Sequence, residues 1–416
     1  MRGRSALVAL AGALVFVLCA RESRATDCSG VLSPCINDDT LWAHAGPSLF
    51  ESIGDTDTVA AGQLGFGLVA SYLSRPIVLH VKSPGGAGSD QYVVNDLANG
   101  AFLWSYGVTD RLELDVALPL TFGQSGAGLA PVTGGDGLKD TAVRDMRFGF
   151  AYAILPRSRV DPDLVGGTAL ARRSVWGLAG RLEVSAPTGD RDQFAGERSA
   201  VFAPTLAADF RSGRWFVAAE VGARVRPTVQ LLQARVGSQI EAALGVGYRI
   251  LPRELLSAEV EAWALPTVTS QADITRQGNA YASQPNGAAL VPAEWQLSAR
   301  TAPLRGDDVS IQIGGGGAIP LSGDSAMTTP RYRFMLGVRW APLRRDSDAD
   351  GVPDMTDKCP SIPASGTEDG CPVPASPGGS SAPAIDLNLA PVVDPCREEP
   401  DLVDGFRYED GCPEKR

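Results

Sequence analysis

The 416-residue chain is long enough for one large domain and a smaller region, and its 44% hydrophobic and 20% charged residues are typical of an ordered protein. Its 47 glycines, with no collagen-like period, favour an all-β chain with many turns. A net charge of -11 argues against nucleic-acid binding, because that function needs a basic surface to pair with phosphates.

The first 25 residues have the pattern of a secretory signal peptide. Arg2 and Arg4 precede an apolar run at residues 6–20, and Ser23-Arg24-Ala25 supplies small residues for a cleavage site. The run is too short for a membrane-spanning helix, which needs about 20 residues. We therefore predict an exported protein.

Lipidation at Cys19 is the alternative at this end of the chain. Phe16 and Leu18 are larger than the residues that lipoprotein processing needs, so ordinary cleavage after Ala25 is favoured. Residues 26–62 are then expected to form an N-terminal periplasmic segment.

Cleavage after residue 25 leaves six of the seven cysteines. An even number in an exported chain predicts disulfides, although sequence alone does not choose among the pairings. The spacing suggests one pair near the N-terminus and groups the other four near the C-terminus. The disulfide candidates are Cys28, Cys35, Cys359, Cys371, Cys396 and Cys412.

Residues 63–342 alternate between apolar and polar side chains, which is the period-two pattern of β-strands. Many segments have the roughly 9–11 residues that a tilted strand needs to cross a bilayer. We therefore predict an all-β fold, a transmembrane antiparallel β-barrel of about 12 strands. The segments lie at residues 63–82, 100–107, 110–122, 145–155, 175–187, 200–211, 214–226, 239–249, 254–265, 293–303, 308–319 and 331–341.

Alternation alone does not decide which face is buried, and a soluble all-β domain is the alternative. A membrane barrel turns its apolar face to lipid and its polar face to the lumen. Charges of both signs on the polar face, and tryptophans near segment ends, favour the membrane. The charges are Glu113, Asp115, Glu220, Arg224, Arg226, Glu241, Glu259, Glu261, Arg333 and Arg339. The tryptophans are Trp104, Trp176, Trp215, Trp263, Trp295 and Trp340.

Short and long connections also alternate, as periplasmic turns and external loops do in membrane barrels. Only residues 156–174 are long where a short turn is expected. Both termini would lie on the periplasmic, short-turn side. Short connections fall near 108–109, 212–213, 251–253 and 304–307, and long ones at 83–99, 123–144, 188–199, 227–238, 266–292 and 320–330.

Residues 343–372 contain five aspartates at the ligand spacing of an EF-hand loop, with Gly351 at the sixth position. Calcium takes about 6–8 oxygen ligands, and aspartates at alternate positions of a turning loop point to a common centre. An acidic linker without an ion is the alternative. The predicted calcium ligands are Asp346, Asp348, Asp350, Asp354 and Asp357, with the carbonyl of Val352.

A partial repeat follows this loop. The motif Glu-Asp-Gly-Cys-Pro occurs at residues 368–372 and again at 409–413. Residues 373–393 form a Pro/Ser/Gly-rich linker between the copies. The second copy, residues 394–416, has no aspartate loop of its own, so only one calcium site is predicted.

The mature chain resembles OmpA-family outer-membrane proteins that carry a thrombospondin type 3 repeat linker. The resemblance rests on residues 107–114, 336–339, 346–360 and 404–413. It implies a Gram-negative outer-membrane barrel with a calcium-binding periplasmic tail. In the family such a linker leads to a peptidoglycan-binding domain, which we do not expect within these 416 residues.

These patterns predict a non-enzymatic outer-membrane barrel with a structural or pore role and Ca²⁺ bound in its tail. A passive channel for a small or apolar solute is the alternative. An outer-membrane lipid hydrolase is disfavoured, because His44 and His80 are the only histidines and no nucleophile motif is present. The expected partners are outer-membrane lipid and a cell-wall or periplasmic partner of the tail, with no nucleic acid.

Overall fold

In the computed structural model, the described residues run from 28 to 372, except 82–88, 135, 157–175, 252–254, 278–279, 303–307, 322–327, 344–347 and positions 349, 351, 353, 355, 365 and 368. The predicted signal peptide, linker and second partial repeat, with Cys396 and Cys412, lie outside the described residues.

Twelve antiparallel strands close into a barrel, which confirms the predicted fold class. Each strand pairs with the next in the chain order of the barrel, and β1 pairs with β17 to complete the ring. The strands are β1 (Leu64–Val81), β2 (Ser89–Gly107), β3 (Leu112–Ser125), β5 (Arg147–Leu155), β6 (Trp176–Ser185), β7 (Val201–Ser212), β8 (Trp215–Arg224), β11 (Gln239–Leu251), β12 (Leu256–Ala264), β15 (Ala293–Thr301), β16 (Val309–Ala318) and β17 (Tyr332–Trp340).

The remaining elements lie at one end of the barrel, which we call the long-connection end. The opposite end, the short-turn end, has the tight turns at residues 107–112 and 212–215. The predicted exception, residues 156–174, lies almost entirely outside the described part of the chain. The long-connection elements are strand β4 (Ala142–Val143), hairpins β9 (Val229–Leu231) with β10 (Ala234–Val236) and β13 (Ala272–Gln277) with β14 (Ala280–Pro285), helix α1 (Ala130–Thr133) and a 3-10 turn (Arg191–Gln193).

Strand β2 begins eleven residues earlier than the alternation predicts, so the predicted long connection at 83–99 is wrong for residues 89–99. Val93, Val94 and Leu97 are buried in an apolar cluster beside Ile77 of β1. This packing lengthens the strand beyond the part that would cross a bilayer. Among the described residues, no helix is long and apolar enough to span a membrane.

The outward-facing residues of the strands are mainly apolar and most inward faces carry polar or charged side chains, although β1 turns Val69 and Leu73 inward. In β17 burial alternates at every residue, with Phe334 60% exposed and Arg333 only 1% exposed. Trp176, Trp215 and Trp340 lie on the outer face near the short-turn end. The predicted girdle position of Trp263 is wrong, because this side chain shares the inward face of β12 with Glu261 and is buried.

The prediction of a periplasmic segment at residues 26–62 is also corrected by the structure. The described part of that segment passes through the lumen, and every residue from 42 to 60 is buried. Its contacts reach inward-facing side chains on strands from β3 to β17. We call residues 28–36 the head and residues 37–60 the plug.

Candidate functional site

The head lies at the long-connection end of the lumen. Its ends are joined by the disulfide Cys28–Cys35, and Leu32 forms a β-bridge with Leu231 of β9. Both cysteines are buried against the apolar cluster that includes Ile77. The head is therefore a compact, covalently closed loop seated on apolar surface.

The plug leaves the lumen at the short-turn end, where Val59 bridges Leu343 and the N–H of Gly62 donates to the carbonyl of Gly107. Residues 28 and 343 thus lie at opposite ends of the barrel. The predicted periplasmic placement of both termini stays a prediction, because residues 1–27 and 373–416 lie outside the described part of the chain. An irregular segment of this kind has no period, so no pattern in the sequence distinguishes it from a linker.

Acidic side chains of the plug pair with arginines of the wall along the whole lumen. Asp38 lies 2.7 Å from Arg144, and Asp39 lies 2.8 Å from Arg333. Nearer the short-turn end, Glu51 pairs with Arg339, and Asp55 lies 3.2 Å from Arg211. These charged groups are largely removed from water. Removal of either partner of a pair would therefore leave the other charge without compensation and weaken the contact between plug and wall.

Backbone groups of the plug are bound by wall carboxylates as well. Glu261 accepts from the N–H of Ser52 at 2.8 Å, and Glu220 accepts from the N–H of Gly54 at 2.7 Å. Glu113 accepts from the N–H of Val59 at 2.6 Å. These bonds satisfy N–H groups that have no strand partner, which is why an irregular segment is tolerated inside the barrel.

His44 stands between two wall carboxylates. Its Nδ1 lies 3.5 Å from Glu183, and its Nε2 lies 3.4 Å from Glu220. Neither nitrogen has a hydrogen-bond partner among the described residues. Among the described residues, no nucleophilic side chain is hydrogen-bonded to this imidazole. His44 therefore makes an electrostatic contact between the plug and the two wall carboxylates.

The wall keeps ion pairs of its own beside those with the plug. Arg181 lies 2.5 Å from Asp115, and Arg224 lies 2.5 Å from Glu241. Arg333 lies 2.9 Å from Glu294 in addition to its contact with the plug. These three arginines would keep a carboxylate partner without the plug, whereas the ion pairs of Arg144 and Arg339 are with plug carboxylates.

Several parts of the contact between plug and wall are apolar. Leu49, Phe50 and Ile53 of the plug pack on inward-facing Phe216 of β8 and Trp263 of β12. The Phe50 and Phe216 ring centroids are 5.5 Å apart. A side chain that alternation assigned to the outer girdle, Trp263, is therefore part of the lumen contact.

Two small cavities lie between the plug and the wall. A cavity of about 40 Å³ lies beside Trp42, Asn99 and Arg147, and one of about 20 Å³ lies beside Asp55 and Arg339. A single water needs about 10–15 Å³ by this measure, so each cavity holds one or a few waters. Neither of these two cavities has room for a solute much larger than a few waters.

The tail contains a second cluster of functional interest. Carboxylate oxygens of Asp348, Asp350 and Asp357 lie within 4.8 Å of one another, and all three residues are buried. Asp346 lies outside the described residues, and Asp354 is not part of this cluster. Val352 donates its backbone N–H to Asp350 at 2.8 Å.

The Glu-Asp-Gly-Cys-Pro motif lies against this cluster. Cys371 is disulfide-bonded to Cys359, and Gly370, at φ 68°, contacts the carboxylate of Asp357 so closely that a Cβ would collide with it. The Lys358 ammonium, 3.1 Å from the exposed Asp369 carboxylate, donates a hydrogen bond that lowers the pKa of Asp369. The motif thus closes the aspartate loop.

Comparisons with known proteins give a likeness of fold. No family model matches the chain, and a search of curated proteins finds no match. An outer membrane channel from Pseudomonas putida F1 is similar with a TM-score of 0.44 and 15% identity, over 69% of this chain and 98% of that one. The KdgM porin is similar with a TM-score of 0.34 and 8% identity, over 66% of this chain and 98% of that one.

The toluene transporter TbuX from Ralstonia pickettii is similar with a TM-score of 0.34 and 8% identity, over 68% of this chain and 90% of that one. Because these TM-scores are below 0.5, we infer the function of this chain from its own residues.

Proposed function

We propose that this protein is a passive outer-membrane channel whose lumen is closed by its own N-terminal plug. The observation that carries the proposal is a charged lumen filled by a separate, irregular segment rather than by wall side chains. The wall has ion pairs of its own, such as Arg181–Asp115. These wall charges would therefore keep their partners if the plug left the lumen. The test is ion current across planar bilayers, steady in a variant without the plug and brief or absent with it.

The outer surface supports placement in a membrane. Leu244, Leu297 and Ile313 are 55%, 57% and 62% exposed on three strands of the barrel. Aromatic pairs such as Trp176–Phe210 and Trp215–Tyr248 lie at the short-turn end, as an interfacial girdle would. In water so broad an apolar surface would promote aggregation, whereas in lipid it is solvated.

Leu297→Arg is expected to destabilise the folded barrel in lipid vesicles by about 2–4 kcal/mol, because Leu297 lies midway along β15 where a bilayer is most apolar. Val268→Arg is the matched control, since Val268 is 70% exposed but lies in a connection outside the barrel strands. Urea unfolding followed by a heat-shift gel measures both. Equal, small effects would contradict insertion in a membrane.

We further propose that the tail binds a calcium ion. The three converging carboxylates support this, together with the buried Oδ2 of Asp357, which has no hydrogen-bond partner among the described residues. The thrombospondin type 3-like spacing of the loop favours calcium as the ion. A calcium ion prefers hard oxygen ligands, and its positive charge would neutralise carboxylates that otherwise repel each other.

Asp350→Asn is expected to weaken calcium binding on the order of tenfold or more, because it removes one of three converging charges. Asp369→Asn is the control, since this exposed carboxylate pairs with Lys358 instead. Calorimetric titration of the purified full-length protein with calcium chloride compares them. An unchanged titration in Asp350→Asn would remove the site.

A further inference from the structure

We infer that the lumen wall contains a binding slot for one neutral aromatic ring of a solute, and that Phe50 of the plug occupies this slot when the channel is closed. The inference rests on the proposed channel function and names the class of solute that would compete with the plug.

The slot is formed by three adjacent strands. The register places Ala218 of β8, Gly245 of β11 and Glu261 of β12 in one row of inward-facing residues. The neighbouring rows contribute Phe216 on the short-turn side and Trp263 on the long-connection side. Two small residues, Ala218 and Gly245, therefore form the floor of the slot, and Phe216 and Trp263 lie on either side of it.

Gly245 sets the depth of the slot. A Cβ added at Gly245 would lie 2.7 Å from the ring of Phe50, so the ring rests directly on the backbone of β11. Phe216 in turn lies so close over Gly247 that a side chain there would displace it. Two glycines on one strand thus leave room for two rings, one from the wall and one from the plug.

The shape and chemistry favour an aromatic occupant. The Phe50 and Phe216 rings have a centroid distance of 5.5 Å and an interplanar angle of 46°, within the range of favourable aromatic pairs. Trp263 offers a further ring surface in the same cluster. A flat ring can enter beside Phe216 where a bulkier saturated ring would meet the β11 backbone.

The position of the slot couples solute binding to plug release. The plug has other apolar contacts, but the ring of Phe50 is the one that covers Gly245, and its removal would expose Phe216 and Trp263 to water. A solute ring that takes the place of Phe50 keeps those side chains covered. Such a ligand binds the open state better than the closed one, and so shifts the population toward it.

The test compares three full-length proteins in lipid nanodiscs: wild type, Phe50→Ala, and Phe50→Ala with Gly245→Val. Phenol is the probe, with cyclohexanol as its saturated match, and saturation-transfer NMR measures binding. Phe50→Ala should bind phenol about tenfold or more better than wild type, since vacated apolar cavities in proteins accept benzene-sized rings. The Gly245→Val change, which fills the slot, should abolish that gain.

Two results would overturn the inference: phenol binding that persists when position 245 is filled, or cyclohexanol binding as strong as that of phenol. If Gly245→Val fails to fold, Ala218→Val fills the same row from β8 and serves instead. Phenol binding is measured independently of ion current. If the barrel conducts but phenol does not bind at the slot, this inference alone is refuted. An absence of current in every variant refutes the channel function instead.

Discussion

Deletion of residues 28–58 is expected to raise the single-channel conductance about tenfold or more, because twelve strands enclose a lumen that the plug otherwise fills. The deletion removes the head, its disulfide and all plug carboxylates together. The barrel should still fold, since its strands and wall pairs such as Arg224–Glu241 do not include the plug. Planar-bilayer recordings of the wild type and the deletion variant measure the effect.

A variant in which the head is cross-linked to the wall serves as the opposite control. Leu32 and Leu231 face each other across a β-bridge, where a pair of cysteines has the Cα separation that a disulfide needs. The oxidised Leu32→Cys/Leu231→Cys variant should show fewer openings than wild type and recover them on reduction. Reduced wild type is recorded beside it, because reduction also opens Cys28–Cys35. A folded deletion variant that conducts no more than wild type would refute the plug as the barrier.

Arg333→Met is expected to destabilise the folded barrel by about 3–5 kcal/mol, because it removes the cation from one buried and one largely buried carboxylate. Arg333 is 1% exposed, 2.8 Å from Asp39 of the plug and 2.9 Å from Glu294 of β15. Arg331→Met is the matched control, since Arg331 is exposed two residues earlier in the chain. Urea unfolding in lipid vesicles measures both free energies of unfolding.

The same substitution also reports on the plug. In the barrel without residues 28–58, Asp39 is absent, so Arg333→Met should cost less than in the full chain. Glu294 still loses its partner there, and part of the effect should remain. Equal costs in the two backgrounds would show that the Asp39 contact contributes little to seating the plug.

The aspartate loop is recognisable in the sequence because its aspartates are close in the chain. The carboxylates of Asp348, Asp350 and Asp357 lie within 4.8 Å of one another, and the contact of Gly370 with Asp357 becomes visible only in three dimensions. The Glu-Asp-Gly-Cys-Pro repeat includes that glycine. It did not indicate which side chain the glycine contacts.

Sequence by itself determined the barrel, because alternation of side chains along a strand is local and repeats twelve times in this chain. It also indicated which strand faces carry charge, as Arg333 and Glu261 illustrate. The tertiary structure alone decided what fills the lumen. The plug has no regular backbone, so its place depends on partners hundreds of residues away, such as Asp39 with Arg333. Trp263 shows the same limit, since its inward direction becomes meaningful only when Phe50 and Phe216 are seen beside it.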